Sequence, residues 1–325
     1  MTTYVLRRIA WTVPVLFLVV TVLFFMLQAI GGDPLRPGKL QGLSNSQGWV
    51  KRGDPKPASI TANQRRNLGL DKPLYSQYGS YLRSVATFDF GPTFTFRQRT
   101  VNSVIRKQGP ISAQLGLLAL AWALVLGGSF GVASALRAGS ALDHGTRAFA
   151  SLAAALPAFL VGALAIHLFA VRLGLVPTSG WDGWRSKLLP SFVLGLVPAA
   201  YCARLLRAGM LETLGREYVA AARAKGLRPP RVVSVHVVPN AVGPLIAALG
   251  PLVGYLVTGS FVVEHVFAIP GIGRYYVAAV LARDYPLVLG LTVVLTLAIV
   301  AANLVVDLVQ AALDPRVRER PLVAA

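Results

Sequence analysis

Six stretches of this chain are apolar for about 20 residues or more, the length a helix needs to cross the hydrocarbon core of a bilayer. They run over 9–30, 111–136, 147–171, 188–208, 241–263 and 286–310. Lipid offers no partner for a backbone N–H or C=O group, so each span must close its own hydrogen bonds as a helix. The expected fold class is therefore an all-α membrane protein with six transmembrane helices. Soluble proteins carry about 25% charged residues, whereas only 14% of these 325 residues are charged. The net charge of +19 is compatible with nucleic-acid binding, but basic loops between spans account for it without a nucleic acid. The single cysteine, Cys202, falls inside an apolar stretch and reads as a small packing residue. It leaves neither a disulfide framework nor metal-ligand spacing.

The first span follows Arg7 and Arg8 and lacks a small-residue cleavage pattern, so it reads as a retained signal anchor. Placing the N-terminus inside gives the short cytoplasmic segments fourteen basic residues: Arg7, Arg8, Arg137, Arg147, the seven from Arg204 to Arg231, and Arg316, Arg318 and Arg320. The short outer loops hold five, Arg172, Arg185, Lys187, Arg274 and Arg283. Basic loops stay in the cytoplasm, so both termini are expected there. The segment 31–110 is also basic, but segments beyond about 60 residues translocate largely regardless of charge. Within it, Gly38–Ser59 reads as an irregular excursion rich in Gly, Ser, Asn and Pro, and Asn67–Pro73 as a turn. Leu74–Ala86 is a short helix carrying Tyr75, Tyr78 and Tyr81, which points to a small extracytoplasmic subdomain. The expected organisation is thus a tail and first span over 1–30, the outer segment 31–110, a core of five helices over 111–310 and a cytoplasmic tail over 311–325. The core contains a cytoplasmic loop at 209–240.

That loop holds the most distinctive polar segment, Glu217–Pro239. Glu217–Lys225 is a helix former with small residues at Ala220, Ala221, Ala222 and Ala224. Glu217 near its start and Arg223 and Lys225 near its end suit the helix dipole. Gly226 fits the left-handed position after a helix, and Pro229 and Pro230 prevent its continuation. The small face lets another protein approach the backbone closely, and the cations orient it. A plain basic loop that only enforces topology is the alternative. The compact helix, its sharp stop and the entry proline Pro239 favour docking.

Between the last two spans, Pro270, Gly271 and Gly273 form a turn, and Arg274–Ala282 reads as a short surface helix ahead of Arg283 and Asp284. This segment is either a gate that meets a substrate-delivering protein or a connecting hairpin with Tyr275 and Tyr276 anchored in the membrane interface. Gly127-Gly128-Ser129-Phe130-Gly131 matches the nucleophile-elbow pattern of a serine hydrolase, but that pattern needs a strand-turn-helix setting. Close helix packing through Gly127 and Gly131 is the better reading. A non-transporting membrane scaffold with a partner-binding basic loop is a further alternative. Pro157, Pro198, Pro239 and Pro251 are expected kinks. No segment has the glycine spacing and following Lys-Ser/Thr of a phosphate loop, so ATP is not expected on this chain.

Ala221-Ala222-Arg223-Ala224-Lys225-Gly226, with Pro239 thirteen residues after Gly226, resembles the EAA loop of ABC importer permeases. Glu217–Leu227 is similar to the version in the dipeptide/oligopeptide permease subfamily. The likeness runs in order along the chain. It takes in Gly32-Asp33-Pro34, Leu68–Pro73, Leu175–Gly180, Glu264–Phe267, Pro270–Gly273, Arg283–Pro286, Asp307 and Leu313–Arg318. The resemblance implies a non-catalytic permease subunit of an ATP-driven importer of the type I kind, carrying di- or oligopeptides across a bacterial cell membrane. Related permeases carry nickel or glutathione. It also implies a coupling helix that docks on a separate ATPase through Glu217, Tyr218, Ala221, Ala222, Arg223, Ala224, Lys225 and Gly226. The implied partners are a second, homologous permease forming a heterodimer, two ATPase subunits or domains holding ATP and Mg, and an extracytoplasmic peptide-binding protein. No cofactor is expected on this chain. Two departures stand out: Ala220 occupies the place of the superfamily glutamate, and Gly38–Ser59 is longer than the family pattern.

Overall fold

The computed structural model describes residues 2–29, 72–94, 96 and 99–313, and their side chains apart from those of 2–9, 258–259 and 313. The Gly38–Ser59 excursion, most of the Asn67–Pro73 turn and the tail beyond Leu313 lie outside the described residues. Among the described residues the elements are helical, with one isolated antiparallel bridge between Pro92 and Thr100. Ten helices carry the description: α1 (Thr2–Ala29), α2 (Leu74–Thr87), α3 (Val101–Leu136), α4 (Ala141–Ala155), α5 (Ala158–Ala165), α6 (Arg185–Leu214), α7 (Glu217–Ala224), α8 (Gly243–Val266), α9 (Ile272–Ala282) and α10 (Tyr285–Leu313).

Five of them, α1, α3, α6, α8 and α10, are long and apolar enough to span a membrane unaided. The third expected span is different. Instead of one straight helix over 147–171, α4 and α5 meet at a bend of 107°, and α5 continues as a π-helical segment, Ile166–Arg172. The cause is local. Pro157 has no N–H to donate and its ring excludes a helical conformation at the residue before it. Leu156 accordingly adopts φ −87°, ψ 130°. Pro198 and Pro251, by contrast, lie inside continuous helices α6 and α8.

The described residues fall into two compact units, one drawn from 1–6, 111–270 and 299–325, the other from 7–110 and 271–298. The first is built on glycines. A Cβ added at Gly127 would lie 2.5 Å from the Ala199 carbonyl oxygen and 2.5 Å from Cys202 Cβ. One at Gly195 would lie 2.6 Å from the Ala119 oxygen, and one at Gly131 2.9 Å from the Ala203 oxygen. Hence α3 and α6 touch backbone to backbone, the small-residue packing that substitutes for a hydrophobic drive inside lipid. This settles the Gly127–Gly131 motif in favour of packing: it lies within continuous α3, and Ser129 points outward. Cys202 is fully buried in the same contact.

In the second unit, α2 takes the place of the short helix expected over Leu74–Ala86 and packs on α1. Tyr78 shares a 2.7 Å hydrogen bond with Thr21, and Phe24 stacks on Tyr81 with centroids 6.0 Å apart. Phe90, Val101 and Val104 form one apolar core with Ile272, Tyr275, Ala279, Leu287 and Leu291.

Replacing Gly127 by Leu forces side-chain atoms into the backbone of α6 and lowers the thermal midpoint of the purified protein, with overpacking of about 1–3 kcal/mol. The adjacent Gly128→Ala, where an added Cβ meets nothing within 4 Å, leaves the midpoint unchanged or slightly raised. Equal effects at the two positions would contradict this packing.

Candidate partner-docking site

The polar segment begins where α6 ends. Gly215 follows Leu214, and Arg216 is extended at φ −77°, ψ 146°, its carbonyl accepting from the N–H groups of Val219 at 3.0 Å and Ala220 at 3.3 Å. These bonds open α7 at Glu217, just after the α6 stop. The helix is closed as expected by a left-handed glycine, with Gly226 at φ +72°. The Gly226 N–H donates to the Arg223 carbonyl at 3.0 Å and the Leu227 N–H to the Ala222 carbonyl at 3.4 Å. Both bonds of a Schellman ending are therefore made, and Leu227 packs on the same core that receives Ala222. Pro229 and Pro230 keep α7 from running on, but Pro229 also opens a new helical turn, Pro229–Arg231. A proline at the first helical position loses no bond and has the required φ.

Two residues fasten α7 to the unit beneath it. Val219 is fully buried and Ala222 nearly so, three residues apart on one face. They share a core with Leu206 and Met210 of α6, Ala135 of α3, and Val232, Val237 and Ala241. Burial of a side chain of the size of Val219 contributes about 1.5–3 kcal/mol. The return strand of the loop is clamped as well. A Cβ at Gly209 would sit 2.5 Å from the Ala241 carbonyl oxygen, so the loop closes at its base by backbone contact. Between these points the chain widens into a π-helical segment, Val232–Val237, just before Pro239, which cannot donate a helical N–H. Asn240 donates its side-chain amide to the His236 carbonyl there, at 2.7 Å.

Seven of the eight docking residues named from the sequence, Glu217, Tyr218, Ala221, Arg223, Ala224, Lys225 and Gly226, are exposed on the outer face. Ala222 is not among them, because it turns inward beside Val219. Ala220, in the place of the superfamily glutamate, is exposed too. The outer surface is basic: Arg216, Arg223, Lys225, Arg228 and Arg231 are exposed, against Glu212 and Glu217. Arg216 pairs with Glu212. Sequence reading missed Val219, Leu227 and Gly209. Their only signal is an apolar residue on a polar helix, another straight after its stop, and a glycine near the end of α6.

The second expected site is less open. Gly271, Gly273 and Asp284 are buried, and Pro270, Arg274 and Arg283 are half-buried. The expected surface helix is α9, with Ile272, Gly273, Tyr275, Ala279 and Ala282 buried. Tyr275 is buried with its hydroxyl accepting from Arg99 Nη1 at 2.8 Å, and the Tyr276 hydroxyl accepts from Thr292 at 3.2 Å. Asp284 accepts from the Phe94 N–H at 2.9 Å and the Leu287 N–H at 3.3 Å, capping α10 and holding the loop before α3. The turn before it puts Arg283 in the left-handed region at φ +57°, a strained position for a side-chain-bearing residue.

Residues 127–319 match the family described as binding-protein-dependent transport system inner membrane component. The chain is 36% identical over 319 residues to the dipeptide transport system permease protein DppB of Bacillus subtilis, covering 98% of each. It is 33% identical to the oligopeptide transport system permease protein OppB of Haemophilus influenzae, covering 97% of this chain and 99% of the other. Among solved structures it is similar to the inward-facing MetNI methionine ABC transporter, with TM-score 0.56 at 18% identity over 65% of this chain and 96% of that one. A second likeness, to an amino acid ABC transporter, has TM-score 0.50 at 15% identity over 64% and 93% of the two chains. At these identities the structural likeness establishes the fold.

Because Gly226 is left-handed with open space around it, Gly226→Val destabilises by about 1–2 kcal/mol through backbone strain alone, and Gly226→Asn by less. Thermal midpoints of the purified variants report the order. A valine variant as stable as the asparagine one would contradict the Schellman closure.

Proposed function

The chain belongs to the family of binding-protein-dependent transport system inner membrane components, and on that premise we propose that it carries di- or oligopeptides and couples to its motor through α7. As a member it is the membrane-spanning permease subunit of an ABC importer. It is not itself an enzyme: ATP is hydrolysed on partner subunits. Peptide cargo is supported by near full-length similarity to permeases named for dipeptide and oligopeptide transport. The count of basic residues in short loops supports α7 and both termini in the cytoplasm. A second, related permease completes the translocation path, two ATPase subunits holding ATP and Mg engage from the cytoplasm, and a peptide-binding protein delivers cargo outside. The half-buried Arg274 and Arg283 of the second unit are candidates for its contact.

The observation that carries the coupling role is the way α7 is mounted. Its outer face is small and basic, while Val219, Ala222, the Schellman closure and the Gly209–Ala241 contact fix it to α6. A helix fastened on one face and open on the other passes a displacement to its base without melting. ATP supplies the shift because it binds the closed ATPase pair more tightly than the open one, and only differential affinity moves such an equilibrium. Peptides vary in side chain, so the path must grip backbone and termini, and selection of cargo falls to the binding protein.

Arg223→Glu reverses a charge on the outer face without touching the core. We expect ATP-dependent uptake of a labelled dipeptide in proteoliposomes to fall at least about tenfold, with insertion into the membrane unchanged. Normal uptake by a fully inserted variant would remove α7 from the docking role.

A further inference from the structure

Outside the docking helix, the described residues include a charged cluster around the buried Asp143 that the function above does not use. It lies where the end of α3, the start of α4 and the C-terminal third of α6 converge. Arg207 Nε donates to Asp143 Oδ1 at 2.7 Å, and Nη2 donates to Oδ2 at 2.9 Å. The Ser134 hydroxyl donates to Asp143 Oδ1 at 2.6 Å, and Arg207 Nε also reaches the Ser134 oxygen at 3.1 Å. The Gly139 N–H completes the shell on Oδ2 at 2.9 Å. Ser140 caps α4 through the Asp143 N–H, and Arg147, half-exposed, comes within 3.7 Å of Oδ1. Asp143 is 1% exposed and Ser134 is fully buried.

A pair like this is a poor way to gain stability. Desolvating Asp143, and Arg207 in part, offsets much of their attraction, and apolar residues of similar volume usually hold helices together as well or better. What the fork supplies is geometry. Two parallel bonds to a planar guanidinium fix orientation as well as distance, so α6 cannot rotate about its axis or slide along α4 without breaking them.

The position gives that rigidity a use. Arg207 stands between Leu206 and Met210, which share the core that seats Val219 and Ala222 of α7. Asp143 lies in the first turn of α4, the helix that runs to the 107° bend at Pro157. We propose that Arg207 and Asp143 are positioning residues that hold α4 in step with α6, so that movement received at α7 reaches the bent third span and is not lost as slip between helices. This inference rests on α7 being the docking helix.

The test is made in the assembled transporter, with its ATPase and peptide-binding subunits, in proteoliposomes where uptake and ATP hydrolysis are read together. The double variant Arg207→Met with Asp143→Leu removes both charges and keeps apolar bulk, and Arg207→Lys keeps the charge but loses the fork. The double variant should co-purify with the ATPase and hydrolyse ATP, while peptide taken up per ATP falls about tenfold; Arg207→Lys should fall between it and the parent. An unchanged uptake-to-hydrolysis ratio would make the pair a static fastener, and failure of the double variant to assemble would make it a folding element. Either result overturns the proposal. Failure of the docking reading is distinguishable. In that case Arg223→Glu retains full transport, whatever the Arg207 variants do.

Discussion

The contact of α3 with α6 is the interaction on which the rest of this permease depends. Lipid tails are as apolar as the helices, so burial inside a bilayer supplies little drive for association. Gly127, Gly131 and Gly195 replace that drive by close approach, bringing backbone atoms and the Ala119, Ala199 and Ala203 carbonyls into contact range. Everything attached to α6 inherits this rigidity. Its lower end carries Leu206 and Met210 into the core that seats α7, and its glycine at 209 clamps the returning chain at Ala241.

Helix α7 is thus a rigid tip on a packed pair of spans. Its fastening and its presentation use different residues. Val219, Ala222 and Leu227 face the core, while Tyr218, Ala221, Arg223, Ala224 and Lys225 are exposed. Mutations therefore divide in two. Changes on the inner face act through folding, whereas changes on the outer face leave the fold intact, so the two sets separate by whether the protein remains inserted and stable.

How far the sequence foretold this depends on what each feature needs. The presence of long apolar spans, the helix at Glu217–Ala224 and the left-handed Gly226 follow from local rules, namely apolar length, helix propensity and the freedom of glycine. They were legible. The bend at Pro157 was legible as a kink, but its size was not, because the angle depends on what α4 and α5 pack against. The bonds of Tyr275 to Arg99 and of Tyr276 to Thr292 were not legible, because a tyrosine bonded across the fold looks like any other in one dimension. The Asp143–Arg207 pair was invisible for a related reason: its partners are 64 residues apart and belong to different helices. An arginine in the apolar stretch of α6 was the only hint that a buried acid had to exist.

The sole native cysteine, Cys202, is fully buried, so a thiol introduced on α7 stands alone for chemistry. The most direct measurement is cross-linking from Ala224→Cys, carrying a short photoreactive maleimide, in the assembled importer. Identification of the ATPase chain as the cross-linked product is the predicted result. Capture of the peptide-binding protein, or no product with the ATPase while transport continues, would contradict the account.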